Sequence, residues 1–315
     1  MAPPLFVDIR RGDHVESRHE VDAVVVDHQG SIVGSWGEAD RPVMPRSSAK
    51  PLQAVPLVDT GAAVAFGVDD ADLALACASH NGEQGHVDRV LVWLDRLALG
   101  AGDLECGPQY PVHESAFVDL VASGGVAGPE HNNCSGKHTG FLAVCRHLDL
   151  PTAGYIKPDH PLQRKHVTPT MEELCRFDAR AQNPSIDGCG IPVWQIPLAD
   201  LARGWSRLAD TAVGSTLLDA MIAEPWFVAG SDRSSTRFMT DALEPVAAKA
   251  GAEGVYCAVL VDNRTAIALK VRDGAARAAD AAMEYLLAGL GAVAAVDHPL
   301  HNRAGTLVGS IEVTA

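Results

Sequence analysis

The chain is short of positive charge. Its 25 lysine and arginine residues face 40 aspartates and glutamates, giving a formal net charge of −15 over 315 residues. Contact with nucleic-acid phosphates or an anionic membrane needs a basic face, so this balance argues against both as partners. Lysine is scarce: Lys50, Lys137, Lys157, Lys165, Lys249 and Lys270 are the whole set. Long hydrophobic runs are missing as well, and nothing approaches the roughly 20 apolar residues that span a bilayer. The N-terminal stretch "MAPPLFVDIRRGDHVESRHE" lacks the basic-then-apolar order of a secretory leader. The seven cysteines are odd in number and irregular in spacing, which excludes a secreted disulfide scaffold and reads as reduced thiols. No repeat, low-complexity tract or flexible linker stands out. The expectation is a soluble, cytoplasmic protein, with 47% apolar residues and length enough for a large core.

What is present sorts into three zones. Near the N-terminus "LFVDIRRG", "HVESRHEVDAVVVDHQG" and "SIVGSWGEA" read as antiparallel strands, with Gln29-Gly30 as a hairpin turn. From Leu52 to about Pro245 the apolar period becomes helical, most clearly in "HVDRVLVWLDRLAL" and "TGFLAVCRHLDL". Strands return in "GVYCAVLVDNRTAIALKVRDG", turning at Asp262-Asn263-Arg264, before the Ala-rich helix "AARAADAAMEYLLAGLGAV". The expected fold class is mixed α/β (α+β). One antiparallel sheet is built from both chain ends, with flanking helices and a largely helical inserted lobe. Residues 1–315 form a single domain, with the sheet lobe at about 1–50 and 246–315 and the helical lobe at about 51–245.

Three short motifs carry chemistry. In "RPVMPRSSAK" Ser47 and Lys50 have Ser-x-x-Lys spacing just before an apolar helix, with Pro51 suited to its first turn. On a helix i and i+3 share a face, so the lysine can reach the hydroxyl. A serine needs such a base, and a lysine serves only if its amine is kept neutral. A helix start also offers backbone N–H groups to an oxyanion. Alone the spacing is weak, since a serine cap and a solvated lysine explain it more simply. "CASHNGEQG" adds Ser79-x-Asn81 and "AAKAGAEG" adds Lys249-x-Gly251, each motif occurring once and in this order. Together they are the three signatures of the serine β-lactamase and penicillin-binding superfamily.

The wording of five stretches, "RSSAKPLQA", "CASHNGE", "HNNCSGKHTGFL", "IDGCGIPVW" and "KAGAEGVYCAVL", closely resembles the Rhizobium-etli-type L-asparaginases, the asparaginase II family. The resemblance runs from about Pro3 to Glu312. It implies a β-lactamase-like fold, hydrolysis of L-asparagine to L-aspartate and ammonia, and a homodimer. It also implies two Ser-Lys pairs in one pocket, Ser47 with Lys50 and Ser79 with Lys249. Two ammonium groups in one cavity repel, so at least one should lose its proton readily. Ser47 is preferred as nucleophile because only it stands at a helix start, and the reverse assignment with Ser79 stays open. A glutaminase of the same architecture and a non-enzymatic sensor are the competing readings.

"HNNCSGKHTG" lacks the earlier glycine and the Ser/Thr of a phosphate loop, so a nucleotide site is rejected. Cys134, Lys137 and His138, with Asp187 and Cys189 of "SIDGCGIPV", read either as buried thiols and their neighbours or as zinc ligands. The resemblance implies zinc held by Cys134, Lys137 and Cys189, modulatory rather than essential, with Asp187 and His138 close by. Arg46 is a candidate clamp for the substrate carboxylate. Glu83 could pair with its ammonium, or simply open the next helix. His80, Asn81, His138 and Asp187 complete the candidate substrate-binding set. Arg233, in "WFVAGSDRSSTRFM", could line the pocket, although Ser231 and Asp232 also make a plain N-cap for the next helix.

Overall fold

Alternation of β-branched residues with turn formers builds strands at both chain ends, as the computed structural model shows for residues 2–315. The longest strand, β2 (His14–Val26), carries the run "VDAVVV". β1 (Leu5–Arg11) pairs with its first half and β3 (Ile32–Trp36) with its second. The turn into β3 is an Asx turn: Asp27 Oδ1 accepts from the amides of Gln29 (2.9 Å) and Ser31 (2.8 Å), and Gly30 takes φ +80°. After the helical middle come β4 (Val246–Ala250), β5 (Val255–Leu260), β6 (Thr265–Val271), β7 (His298–His301) and β8 (Leu307–Thr314). The sheet runs β7-β8-β1-β2-β6-β5-β4, antiparallel throughout, so the two chain ends meet where β1 pairs with β8. The β7–β8 hairpin carries no strand expectation from the sequence reading. Its residues are mostly half-exposed, which leaves little apolar contrast to read.

Seven helices of the middle segment and one near the C-terminus position the site or cover the sheet. They are α1 (Lys50–Asp59), α2 (Asp70–Ala76), α3 (Gln84–Arg96), α4 (Ser135–His147), α5 (Leu198–Ala209), α6 (Ala212–Ala223), α7 (Ser234–Thr240) and α8 (Ala276–Gly289). Pro51 lies in the first turn of α1, as expected. Successive β5 residues are all buried, so both faces of the sheet are covered there, and α5 and α8 both pack on β5 and β6. Helix α5 also packs on β2, so one helix of the middle segment belongs to the sheet's own layer. Among the described residues no helix is long and apolar enough to cross a membrane.

One buried carboxylate ties the sheet to the segment leading into the site. Asp22 on β2 has no exposed side-chain surface and meets Arg41 Nε at 2.5 Å. It accepts Arg272 Nη2 at 2.8 Å and the Glu38 amide at 2.9 Å. Gly37 (φ +68°) is needed here, since a Cβ would lie 2.0 Å from Asp22 Oδ1. Burial opposes ionisation of Asp22, but Arg272 and Arg41 outweigh it and hold the carboxyl below its usual range. A depressed carboxylate contributes stability that is present above its unfolded pKa of about 3.9 and lost as pH falls through the folded value. Asp22→Asn should therefore cost about 3 kcal/mol or more in urea unfolding at pH 7, because it strands buried guanidinium charge. The deficit should shrink below about pH 4, where the wild-type carboxyl also protonates; a pH-independent deficit would refute the charge argument.

Candidate active site

The segment before α1 is a tight turn, not a plain helix start. Arg46–Ala49 form one 3₁₀ turn, and Arg46 sits at φ +51°. A non-glycine residue there costs of order 1–3 kcal/mol and persists only when neighbours over-determine it. Those neighbours are visible. The Ser48 amide and hydroxyl both donate to Pro45 O (3.1 and 2.6 Å), and Trp205 Nε1 of α5 donates to Ser48 O at 3.1 Å. Arg46 Nε binds Asp187 Oδ1 at 2.7 Å. Gly251, just beyond β4, closes on the turn from the other side: a Cβ there would lie 3.0 Å from Pro45 O and 3.1 Å from the Ser48 amide. Ser47 is half-buried at the centre and its side chain caps neither helix.

Lys50 is 1% exposed. Its Nζ donates to Ser79 Oγ at 2.8 Å, to Asn133 O at 3.4 Å, and to Ala78 O. The pairing differs here from the expectation. Lys50 turns to Ser79 and makes no hydrogen bond to Ser47 among the described residues, because the carbonyls flanking Ser79 draw the amine across the site. Three acceptors match the three protons of an ammonium. The close approach of α4 to α2 makes this possible, since a Cβ on Gly136 would sit 2.3 Å from Leu75 O.

Lys249, also 1% exposed, occupies edge strand β4. Its one hydrogen bond goes to Ala250 O at 2.8 Å, and no carboxylate contacts it among the described residues. Burial, then the charges of Lys50 and Arg233, push its pKa well below the ordinary lysine value. Of the two lysines in the Ser-Lys motifs, this is the one that the environment drives toward a neutral amine. Cys77, buried between the two, is pushed up to about 12 by burial and stays a thiol.

Around Ser79 the expected polar residues are mostly engaged with one another. Asn81 Nδ2 donates to Ser231 O at 2.8 Å, and its Oδ1 accepts Arg233 Nη1 at 3.1 Å. Glu83 accepts the Ser231 amide and hydroxyl, both at 2.8 Å, and directly precedes α3. It thus anchors the 230–233 loop, which Gly230 (φ +103°) lets approach: a Cβ there would lie 2.6 Å from Glu83 Oε1. His80 is fully buried, accepts the Gly82 amide at Nδ1 (3.1 Å) and hydrogen-bonds Ser135 Oγ through Nε2 (2.9 Å). Burial holds it neutral, so it braces the loop carrying Ser79. Asn133 and Trp205 are parts of this assembly that motif reading does not single out. Their contributions are a backbone carbonyl and a distant indole contact, which leave no spacing signal.

The second cluster brings Cys134, Lys137 and Cys189 together. Lys137 Nζ, 2% exposed, donates to Cys189 Sγ at 3.1 Å. A hydrogen bond from Cys134, opposed by burial and aided by the Lys137 charge, lowers Cys189 to about 4, while Cys134 is pushed up to about 12. Burial works against Lys137, but the two sulfurs outweigh it and keep it an ammonium. Burial also opposes the charge on Asp187, yet Lys137 and Arg46 hold its carboxyl below the usual range. Two sulfurs and one amine in mutual reach form a donor set that fits a soft divalent ion such as zinc. Among the described residues no group of three or more His, Cys, Asp or Glu gathers for a metal, so any such site depends on the lysine. His138 Nδ1 and the Tyr155 hydroxyl share a hydrogen bond of 2.8 Å, and the buried His138 Nε2 has no partner among the described residues. The remaining cysteines are buried and unpaired, as expected.

Comparison with known proteins identifies a family. A family model described as L-asparaginase II matches residues 7–313. No curated protein matches the chain. A solved β-lactamase from Mycobacterium bovis aligns with TM-score 0.43 and 15% identity, over 85% of this chain and 94% of that one.

The contact of Gly251 with the serine turn yields a prediction. Gly251→Ala should force the turn away from Lys249, because the obstructing atoms are backbone and cannot rotate aside. Hydrolytic activity should fall at least tenfold while thermal unfolding shifts by only a few degrees. Full activity in a folded variant would show that the approach does not set the catalytic geometry.

Proposed function

The chain belongs to the L-asparaginase II family, and we propose that it hydrolyses the side-chain amide of L-asparagine to L-aspartate and ammonia. The family supports an amidohydrolase of the L-asparaginase type. The observation that carries the mechanism is the buried Lys50–Ser79 hydrogen bond beside a second buried lysine that lacks any counter-charge. In this reading Ser47 attacks the amide carbon, and neutral Lys249 accepts the Ser47 proton as the C–O bond forms. Lys50, as ammonium, donates to Ser79 Oγ, which frees the Ser79 proton for the departing nitrogen. The C–N bond then breaks with release of ammonia, and Lys50 can resupply Ser79. Water, deprotonated by the same machinery, hydrolyses the acyl-enzyme. The assembly implied by the family resemblance is a homodimer.

Ser47→Ala, Ser79→Ala, Lys50→Met and Lys249→Met should each lower turnover by about two to four orders of magnitude with the fold intact. Ammonia release from asparagine, with glutamine as control, measures this and separates the asparaginase from the glutaminase reading. Near-wild-type turnover in folded Lys249→Met would remove that residue as the base. The pH profile carries a second expectation. A base acts only when deprotonated, so activity should rise with pH through the Lys249 titration. Because that pKa is lowered, the rise should fall below the ordinary lysine range near 10.4. A profile still rising only above pH 10 would contradict it.

For zinc, Cys134, Lys137 and Cys189 would hold the ion, and bound zinc would act as a charged anchor orienting groups near the pocket. Both the Cys134 and Lys137 protons would leave on binding, so affinity should fall on acidification. Elemental analysis should find about one zinc per chain, reduced in Cys189→Ser, and chelation should raise KM more than it lowers kcat. Zinc-free protein with kinetics indifferent to added zinc would reject the proposal.

A further inference from the structure

The amine of Lys249 is held by the carbonyl of the next residue, Ala250, at 2.8 Å. Ala250 ends β4, the edge strand of the sheet. The Gly251 amide donates to Val255 O at 2.7 Å and the Val261 amide to Pro245 O at 2.9 Å. The ladder to β5 therefore uses the odd-numbered residues of β4, and both backbone groups of Ala250 face the open edge. No strand holds them there. One side chain does: Ser235 of α7, 2% exposed, accepts the Ala250 amide at 3.2 Å.

The Ser235 hydroxyl is itself aimed by a chain of partners. It lies 2.7 Å from the hydroxyl of Tyr256, the fully buried β5 residue opposite Ala250. The Tyr256 hydroxyl lies 3.2 Å from Ser234 Oγ, and Ser234 donates to Asp280 Oδ1 of α8 at 2.6 Å. A hydroxyl carries one proton. With that of Ser234 given to Asp280, Tyr256 must donate to Ser234 and Ser235 to Tyr256. Ser235 Oγ is then left to accept from Ala250. All four bonds run the same way, and such a chain strengthens its members by mutual polarisation.

Beyond burial, the charges that reach Lys249 are those of Lys50 and Arg233, opposed by the sulfurs of Cys134 and Cys77. None belongs to the hydroxyl chain, which acts through backbone position. We infer that Ser235 is a positioning residue for the base: it pins the open edge of β4 at Ala250, whose carbonyl holds the Lys249 amine inside the site. Its catalytic consequence rests on the hydrolase reading, in which Lys249 takes the Ser47 proton. Without the Ser235 hydroxyl the buried Ala250 amide loses its acceptor, and that is relieved only by the strand end turning toward water or by water entering. Either brings water to the amine and raises its pKa toward the ordinary lysine value.

The test compares wild type, Ser235→Ala, Tyr256→Phe and the double variant. One readout is the titration of Lys249, followed by NMR of lysine isotopically labelled at Cε, its signal assigned by its loss in Lys249→Met. The other is the pH profile of kcat on L-asparagine. Ser235→Ala should raise the Lys249 titration and the rising limb of the profile by about one unit, leaving about tenfold less neutral amine below both values. Turnover at pH 7 should fall by that roughly tenfold factor, with KM within about threefold. Tyr256→Phe should shift both readouts the same way by less, and it carries the test if Ser235→Ala does not fold. The double variant should shift no further than Ser235→Ala, since both groups act in one chain. A folded Ser235→Ala with an unmoved Lys249 titration would overturn the inference, whatever its turnover, and so would additive shifts in the double variant. If wild type released no ammonia while Ser235→Ala still raised the Lys249 titration, the hydrolase reading would fail and the positioning would stand.

Discussion

Three of the six lysines of this chain are buried together, Lys50 and Lys249 at 1% exposure and Lys137 at 2%. Lysine is almost never fully buried without compensation, because an ammonium loses several kcal/mol of hydration on entering a protein interior. Each of the three is accommodated differently. Lys137 is matched by a thiolate, Lys50 by three oxygen acceptors, and Lys249 by no charge at all. The first solution preserves an ion pair, the second supplies hydrogen-bond acceptors in place of water, and the third pushes the amine toward its neutral form.

That division depends on backbone approaching backbone. Gly136 lets α4 press against the end of α2, which brings Asn133 O and the cysteine cluster to Lys50. Gly251 lets the end of β4 press against the serine turn, which brings Lys249 into the field of Lys50. Gly230 lets the Arg233 loop settle on Asn81 and Glu83. A side chain at any of these positions would open the cavity to water, and water would relax the very pKa differences the site uses. The strained Arg46 fits the same picture: its left-handed backbone is held by Asp187, Trp205 and the Pro45 carbonyl rather than by local preference.

The architecture was legible wherever apolar residues recur with a clean period. β1, β2, β5, β6, α3, α4 and α8 all correspond to stretches read from the sequence, and the hairpin turn at Gly30 follows from turn chemistry. The three short motifs do converge in space, since spacing on known elements constrains where side chains can point. The partner choice of Lys50 was not legible. It depends on carbonyl oxygens of Ala78 and Asn133, and every residue has a carbonyl. Glu83 shows the same limit from the other side: its acidity suggested an ammonium site, but the amide of Ser231, far along the chain, claims it. Long-range backbone partners leave no trace in composition or period.

The charge pattern ties site and chain together. The protein carries a net −15, yet the charges of Lys50 and Arg233 both reach Lys249, while Arg46 and Lys137 stand against Asp187 and the Cys189 sulfur. A local positive field inside an acidic protein lowers the proton affinity of the one amine without a partner, and it attracts an anionic group to the same place. Both consequences come from the same charges and cannot be tuned separately.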